Sequence, residues 1–189
     1  WFDGCDSTLL DTIEMPCKRF LNFLARIGFK GLCQELAQMM YIPSLDGVLD
    51  IRGCFLIRDY FSGNGLIRFL PIWALHFIFW LRRQLYPKGY LAGLFVDNHD
   101  MDRIMFQQNN NEERVRQALK FVSDEPEPMC LYYGTECGMT QRISKTDPSI
   151  GDIAMREPMK WSLVDGVERP QIFDFVKECW EVRAMKASK

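Results

Sequence analysis

The stretch Leu91-Ala92-Gly93-Leu94-Phe95-Val96-Asp97-Asn98-His99-Asp100-Met101-Asp102-Arg103 changes character halfway along. Its first part is apolar; its second is polar and charged. A short apolar run closed by a turn signal reads as a buried strand. The strand is expected over Leu91–Val96, with the polar cluster at its end. There His99 stands between the carboxylates of Asp97 and Asp100. A neutral imidazole in that position can bind a hydroxyl-rich ligand and hold one acid ionised. Alone, the cluster fits a polar loop capping a helix equally well.

Outward from this strand the chain alternates. Upstream, Thr8–Ile13, Phe29–Leu36 and Leu45–Asp50 read as strands. Between the first two, apolar residues at 20, 23, 24 and 27 have helical spacing, with Gly28 as the stop. Ile51–Tyr60 reads as a helix, Ser62–Gly65 as a loop, and Ile67–Tyr86 as one long helix broken by Pro87-Lys88-Gly89. Downstream, Val115, Ala118, Leu119 and Val122 mark a helix over Glu112–Ser123. The prolines at 126 and 128 end it, Cys130–Tyr133 reads as a short strand, and Gln171–Ala184 as an amphipathic terminal helix. Alternating strands and helices argue for an α/β fold with parallel strands and crossover helices. No internal repeat or linker divides the chain. A doubly wound sheet fits the alternation too, but no G-x-G-x-x-G loop follows a strand.

Bulk properties narrow the classes. The 189 residues are 48% hydrophobic, enough for one sizeable core. A net charge of −2 supplies no basic field for nucleic acid or an anionic membrane. The longest apolar segment, Leu70–Leu81, contains Pro71 and His76 and falls short of the roughly 20 residues that span a bilayer. Seven cysteines, none at CxxC spacing, support neither a disulfide framework nor a zinc site. They lean towards a reducing, cytoplasmic setting.

Three motifs, in order, carry a resemblance. Phe95–Asp100 with Arg103 resembles the fourth conserved region of the α-amylase family of glycoside hydrolases. Leu131-Tyr132-Tyr133-Gly134-Thr135-Glu136-Cys137-Gly138-Met139 looks like that family's last barrel strand. Arg156-Glu157-Pro158-Met159-Lys160-Trp161 is similar to the segment after it. The resemblance is strongest from about Leu45 to Arg183. It implies residues 1–189 as the C-terminal part of one catalytic (β/α)8 TIM barrel, roughly strands 4 to 8. A whole barrel takes about 250 residues. The N-terminal strands and the family's C-terminal β-sandwich domain are expected to be missing.

The family cleaves α-glucosidic bonds by the retaining route, which sets two carboxyl groups about 5–5.5 Å apart and passes through a covalent glycosyl-enzyme. A third carboxylate steadies the transition state. The resemblance implies Asp100 for that third role, with His99, Asn98 and Arg103 as substrate-binding neighbours. Asp11 is the candidate nucleophile and Glu35 the candidate general acid. The Asp11–Glu35 interval suits one strand–helix–strand step. An alternative register puts Asp6 at the family's arginine position and Thr8 at the nucleophile. Leu9, Met15 and Gln34 also stand where the family has arginine, often histidine, and glycine. The missing arginine matters, because a nearby cation lowers a carboxylate's pKa and keeps it ionised. Tyr132, Tyr133 and Glu136 read mainly as structural, packing the barrel floor, with sugar stacking on a tyrosine face as the lesser alternative.

Two function readings follow. One is an α-amylase-like hydrolase or transglycosylase acting on starch-like α-glucans, without nucleic-acid or membrane partners. The other is a catalytically silent relative with a binding role only. No metal or other cofactor is assigned; a calcium ion, if held, is expected outside this chain.

Overall fold

The computed structural model describes residues 30–39, 45–63, 66–149, 153–164 and 170–187. At its centre are two paired parallel strands, β1 (Gly47–Leu49) and β2 (Leu91–Gly93), in the register Gly47↔Leu91 and Leu49↔Gly93. Beyond β2, Leu94 makes a parallel bridge with Met129, through Leu94 N to the Pro128 carbonyl and Cys130 N to the Leu94 carbonyl, both 2.7 Å. The strand expected over Leu91–Val96 is therefore shorter, and that over Cys130–Tyr133 shrinks to this bridge. Past Cys130 the chain turns instead, led by the left-handed Gly134 (φ 85°).

Each crossover carries helices. Between β1 and β2 run α2 (Ile51–Ser62), a 3-10 turn (Leu66–Phe69) and α3 (Ile72–Gln84). The single helix expected over Ile67–Tyr86 is thus split at Pro71. Proline has no N–H to give the preceding turn and pushes the residue before it out of the helical region. Between β2 and Met129 run α4 (Ile104–Gln107) and α5 (Glu112–Asp124), and α6 (Gln171–Ala187) follows.

The caps explain where these helices begin. The Asp50 side chain accepts from Gly53 N at 2.7 Å and starts α2. A Cβ on Gly53 would lie 2.3 Å from Asp50 Oδ2, so glycine is what lets the cap close. Asn111 accepts from Arg114 N and starts α5, whose first turn carries Glu112 and Glu113 against the helix dipole. Val115, Ala118, Leu119 and Val122 then form the buried stripe read from the sequence. They pack against Ile57, Phe61, Leu75 and Phe79 of α2 and α3 and Ile172 and Val176 of α6. Leu94 at the bridge and Val96 in the bend after it join this cluster. Leu49 and Leu91 do not; they stay 46% and 55% exposed.

The strand expected over Phe29–Leu36 is instead part of helix α1, Lys30–Met39. Lys30, Gln34 and Glu35 break any strand alternation and favour a helix. The helix sets Glu35 and Gln38 one turn apart, facing the same group of side chains. Gln38 Nε2 donates to Asp50 Oδ1 (3.1 Å) and Tyr86 Oη (2.8 Å). Arg82 donates to both Glu35 oxygens (3.0 Å) and both Asp50 oxygens (2.8 Å). Among the described residues no helix is long and apolar enough to cross a membrane.

Candidate functional site

The polar cluster after β2 is built in two layers. The lower layer is buried. Asp97 accepts from Thr135 Oγ1 at 2.8 and 3.0 Å and from Ile104 N at 3.0 Å, so one carboxyl both starts α4 and ties it to the turn after Cys130. Arg58 donates to the Val96 carbonyl (2.6 Å) and the Asp102 carbonyl (2.8 Å), bracing both ends of the loop from below. Arg103 is fully buried. Its Nη1 donates to the Tyr133 carbonyl at 2.8 Å, and its guanidinium lies 5.0 Å from the ring centres of Tyr132 and Tyr133.

Burial pushes the Asp97 carboxyl above the ordinary aspartate range, against its hydrogen bonds from Ile104 and Thr135 and the charges of Arg58 and Arg103. A carboxyl whose folded pKa exceeds its unfolded value contributes stability that is complete below the unfolded value and lost as pH rises through the folded one. Asp97→Asn mimics the protonated form: its oxygen accepts from Ile104 N and its amide faces Thr135 Oγ1. The variant is expected to gain stability relative to wild type as pH rises above the unfolded aspartate value of about 4. A melting-temperature difference that stays constant with pH would contradict this.

The upper layer faces solvent. Asn98 Oδ1 accepts from Asp100 N at 2.8 Å and shapes the turn. His99 and Asp100 have 60% and 53% of their side chains exposed, with Nε2 and Oδ2 3.2 Å apart. Arg156 reaches over from the loop after the bridge strand. Its Nη2 donates to Asp100 Oδ1 at 3.0 Å and its Nε to the His99 carbonyl at 3.1 Å. Lys145 Nζ donates to the Asp100 carbonyl. Asp102 is taken up by Gln141 Nε2 (2.5 Å), Ser144 Oγ (2.7 Å) and Lys145 N (2.7 Å). The result is a fixed rim offering one imidazole, one carboxylate and one guanidinium to whatever binds there.

The sequence candidates separate. Asn98, His99 and Asp100 share this rim. Arg103 lies beneath it, so it braces the rim and does not present its charge to a ligand. Glu35 does not sit on a strand end: it lies on α1 with its carboxylate on Arg82 and Tyr86 Oη (3.2 Å), neither of which bonds His99 or Asp100. Asp11, with Asp6 and Thr8, lies outside the described residues. Tyr133 was expected in the barrel floor but is 38% exposed, its hydroxyl donating to the Glu157 carbonyl at 2.7 Å. Gln141, Ser144 and Lys145 were missed, because they act through contacts about forty residues away. Arg58 had a signal: a cation set between Ile57 and Phe61 on the apolar face of α2. Among the described residues no group of three or more His, Cys, Asp or Glu side chains stands together as a metal site.

Comparison with known proteins gives this rim its setting. Residues 74–177, over half of the chain, match the family model for the alpha amylase catalytic domain. The chain is 30% identical over 139 residues to Neopullulanase 2 of Thermoactinomyces vulgaris, covering 70% of this chain and 22% of that protein. It is 31% identical over 83 residues to a 4-alpha-glucanotransferase of Thermotoga neapolitana, covering 43% of this chain and 18% of that protein. The chain thus spans about a fifth of the length of these curated relatives. Its fold is shared with solved α-amylases. That of Geobacillus thermoleovorans, complexed with acarbose, superimposes with a TM-score of 0.59 at 22% identity, covering 79% of this chain and 31% of the other. That of H. orenii gives 0.61 at 17% identity, covering 80% and 34%. With a family model spanning the β2 rim, the bridge strand and Arg156 together, the chain belongs to the α-amylase family and lies within its catalytic domain.

Proposed function

We propose that the rim around Asp100 is part of the active site of a glycoside hydrolase or transglycosylase acting on α-glucans by the retaining, double-displacement route. The barrel position of the chain, roughly strands 4 to 8 of a (β/α)8 barrel, belongs to the same proposal. One observation carries it. His99 and Asp100 stand exposed in the turn that follows β2, where Arg156, Lys145 and Asn98 fix them. A carboxylate so held can face the positive charge that develops at a sugar carbon. His99 beside it can bond sugar hydroxyls. Asp11 remains the proposed nucleophile. The general acid is proposed to be a residue other than Glu35, whose carboxylate is engaged by Arg82.

A second reading is favoured by particular residues. Leu9, Met15 and Gln34 depart from the family pattern, and the Glu35–Arg82 pair uses a candidate acid for structure. On that reading the protein binds α-glucan without cleaving it. The test is proton NMR of maltoheptaose incubated with the protein. Fresh product in the α configuration is the expected result. Product in the β configuration contradicts the retaining route. Intact substrate contradicts catalysis and leaves the binding role.

A further inference from the structure

We infer that Tyr133 is a stacking platform for one pyranose ring of the bound glucan, set beside Asp100; this rests on the α-glucan reading above. The ring is tied to the rim on both sides. Its hydroxyl donates to the Glu157 carbonyl at 2.7 Å, next to the Arg156 that holds Asp100. Its own carbonyl accepts from Arg103, three residues beyond Asp100. One ring face is covered by the Arg103 guanidinium at 5.0 Å, and the Tyr132 ring packs edge-on at 4.6 Å. Tyr133 stays 38% accessible with these contacts in place, and the ring face away from Arg103 is the one assigned to the ligand. A large aromatic side chain held by a hydroxyl bond, a cation and a neighbouring ring has little freedom left to lose. Stacking the apolar C–H face of a pyranose on it costs little ordering. The polar groups of Asp100, His99 and Arg156 then meet the sugar's hydroxyl edge, in the usual pattern of an apolar wall with a few placed polar groups.

The test is calorimetric titration of the protein with maltotriose. Tyr133→Ala is expected to weaken binding about tenfold, and Tyr133→Phe, which keeps the ring, by less than about threefold. Unchanged affinity in a folded Tyr133→Ala protein overturns the platform and leaves the α-glucan reading intact. If Tyr133→Ala does not fold by circular dichroism, Tyr133→Trp and Tyr133→Leu replace it. Binding kept by Trp and lost by Leu supports the platform, and equal affinities overturn it. If the wild type itself does not bind maltotriose, the α-glucan reading falls and the platform with it.

Discussion

Asp100→Asn is expected to lower kcat/KM on maltoheptaose about a thousandfold, or ~4 kcal/mol of transition-state stabilisation, and to leave the melting temperature nearly unchanged. Asparagine has nearly the shape of aspartate but no charge to set against a developing oxocarbenium ion. The fold hardly notices, because the Asp100–Arg156 pair is about half exposed on both sides. Exposed pairs contribute little, about 0–1 kcal/mol. The Asx turn from Asn98 Oδ1 to Asp100 N does not use the Asp100 side chain and persists. A loss of kcat with KM nearly constant marks an interaction made in the transition state. Unchanged turnover would remove Asp100 from the chemistry.

Arg82→Ala is expected to destabilise the fold by about 3–5 kcal/mol, read as a fall in the urea midpoint. The Arg82 side chain is only 10% exposed and faces Asp50 and Glu35, themselves 4% and 13% exposed. Burial disfavours its charge, yet hydrogen bonds and attraction from Asp50 and Glu35 raise its pKa further still. Removing the cation takes from both carboxylates the counter-charge that is hydrogen-bonded to them and leaves only the weaker attraction of Arg52. Asp50 also caps α2 and takes Gln38, so the damage reaches α1, α2 and α3 together. Adding Glu35→Gln and Asp50→Asn to the variant should recover much of the loss, since breaking a pair costs more than removing all of it. Glu35→Gln alone then discriminates between roles. A structural Glu35 lowers the urea midpoint and leaves kcat in place; a general acid lowers kcat as severely as Asp100→Asn does. A fall below about 1 kcal/mol for Arg82→Ala would contradict the cluster's structural weight.

Particular residues show how much of this was legible. The parallel core of β1 and β2 with its crossover helices followed from apolar runs and their breaks. Periodicity reports burial directly, so the buried face of α5 was readable residue by residue. The motif at 95–103 placed His99 and Asp100 together because they are adjacent in the chain. The surroundings of Glu35 were not legible, for the opposite reason. Its assignment needed Phe29–Leu36 to be a strand, and the run's mixed polarity matched neither period cleanly. Its long-range partners Arg82, Asp50 and Tyr86 decided its place. Arg103 and Tyr133 exchanged expected depths: the cation went under the rim and the aromatic ring came up to it. A sequence motif names residues at a site but does not rank them by depth. Depth here is set by the guanidinium packing against Tyr132 and Tyr133 and by the hydroxyl bond to Glu157.

Hydrogen–deuterium exchange with and without maltotriose tests most directly whether glucan meets the protein at this rim. The result expected is slowed exchange over residues 98–101 and 156–157, with α5 at Glu112–Asp124 unchanged. Slowed exchange confined to the outer face of α3, where Trp73, Phe77 and Trp80 are exposed, would contradict it, as would no change anywhere.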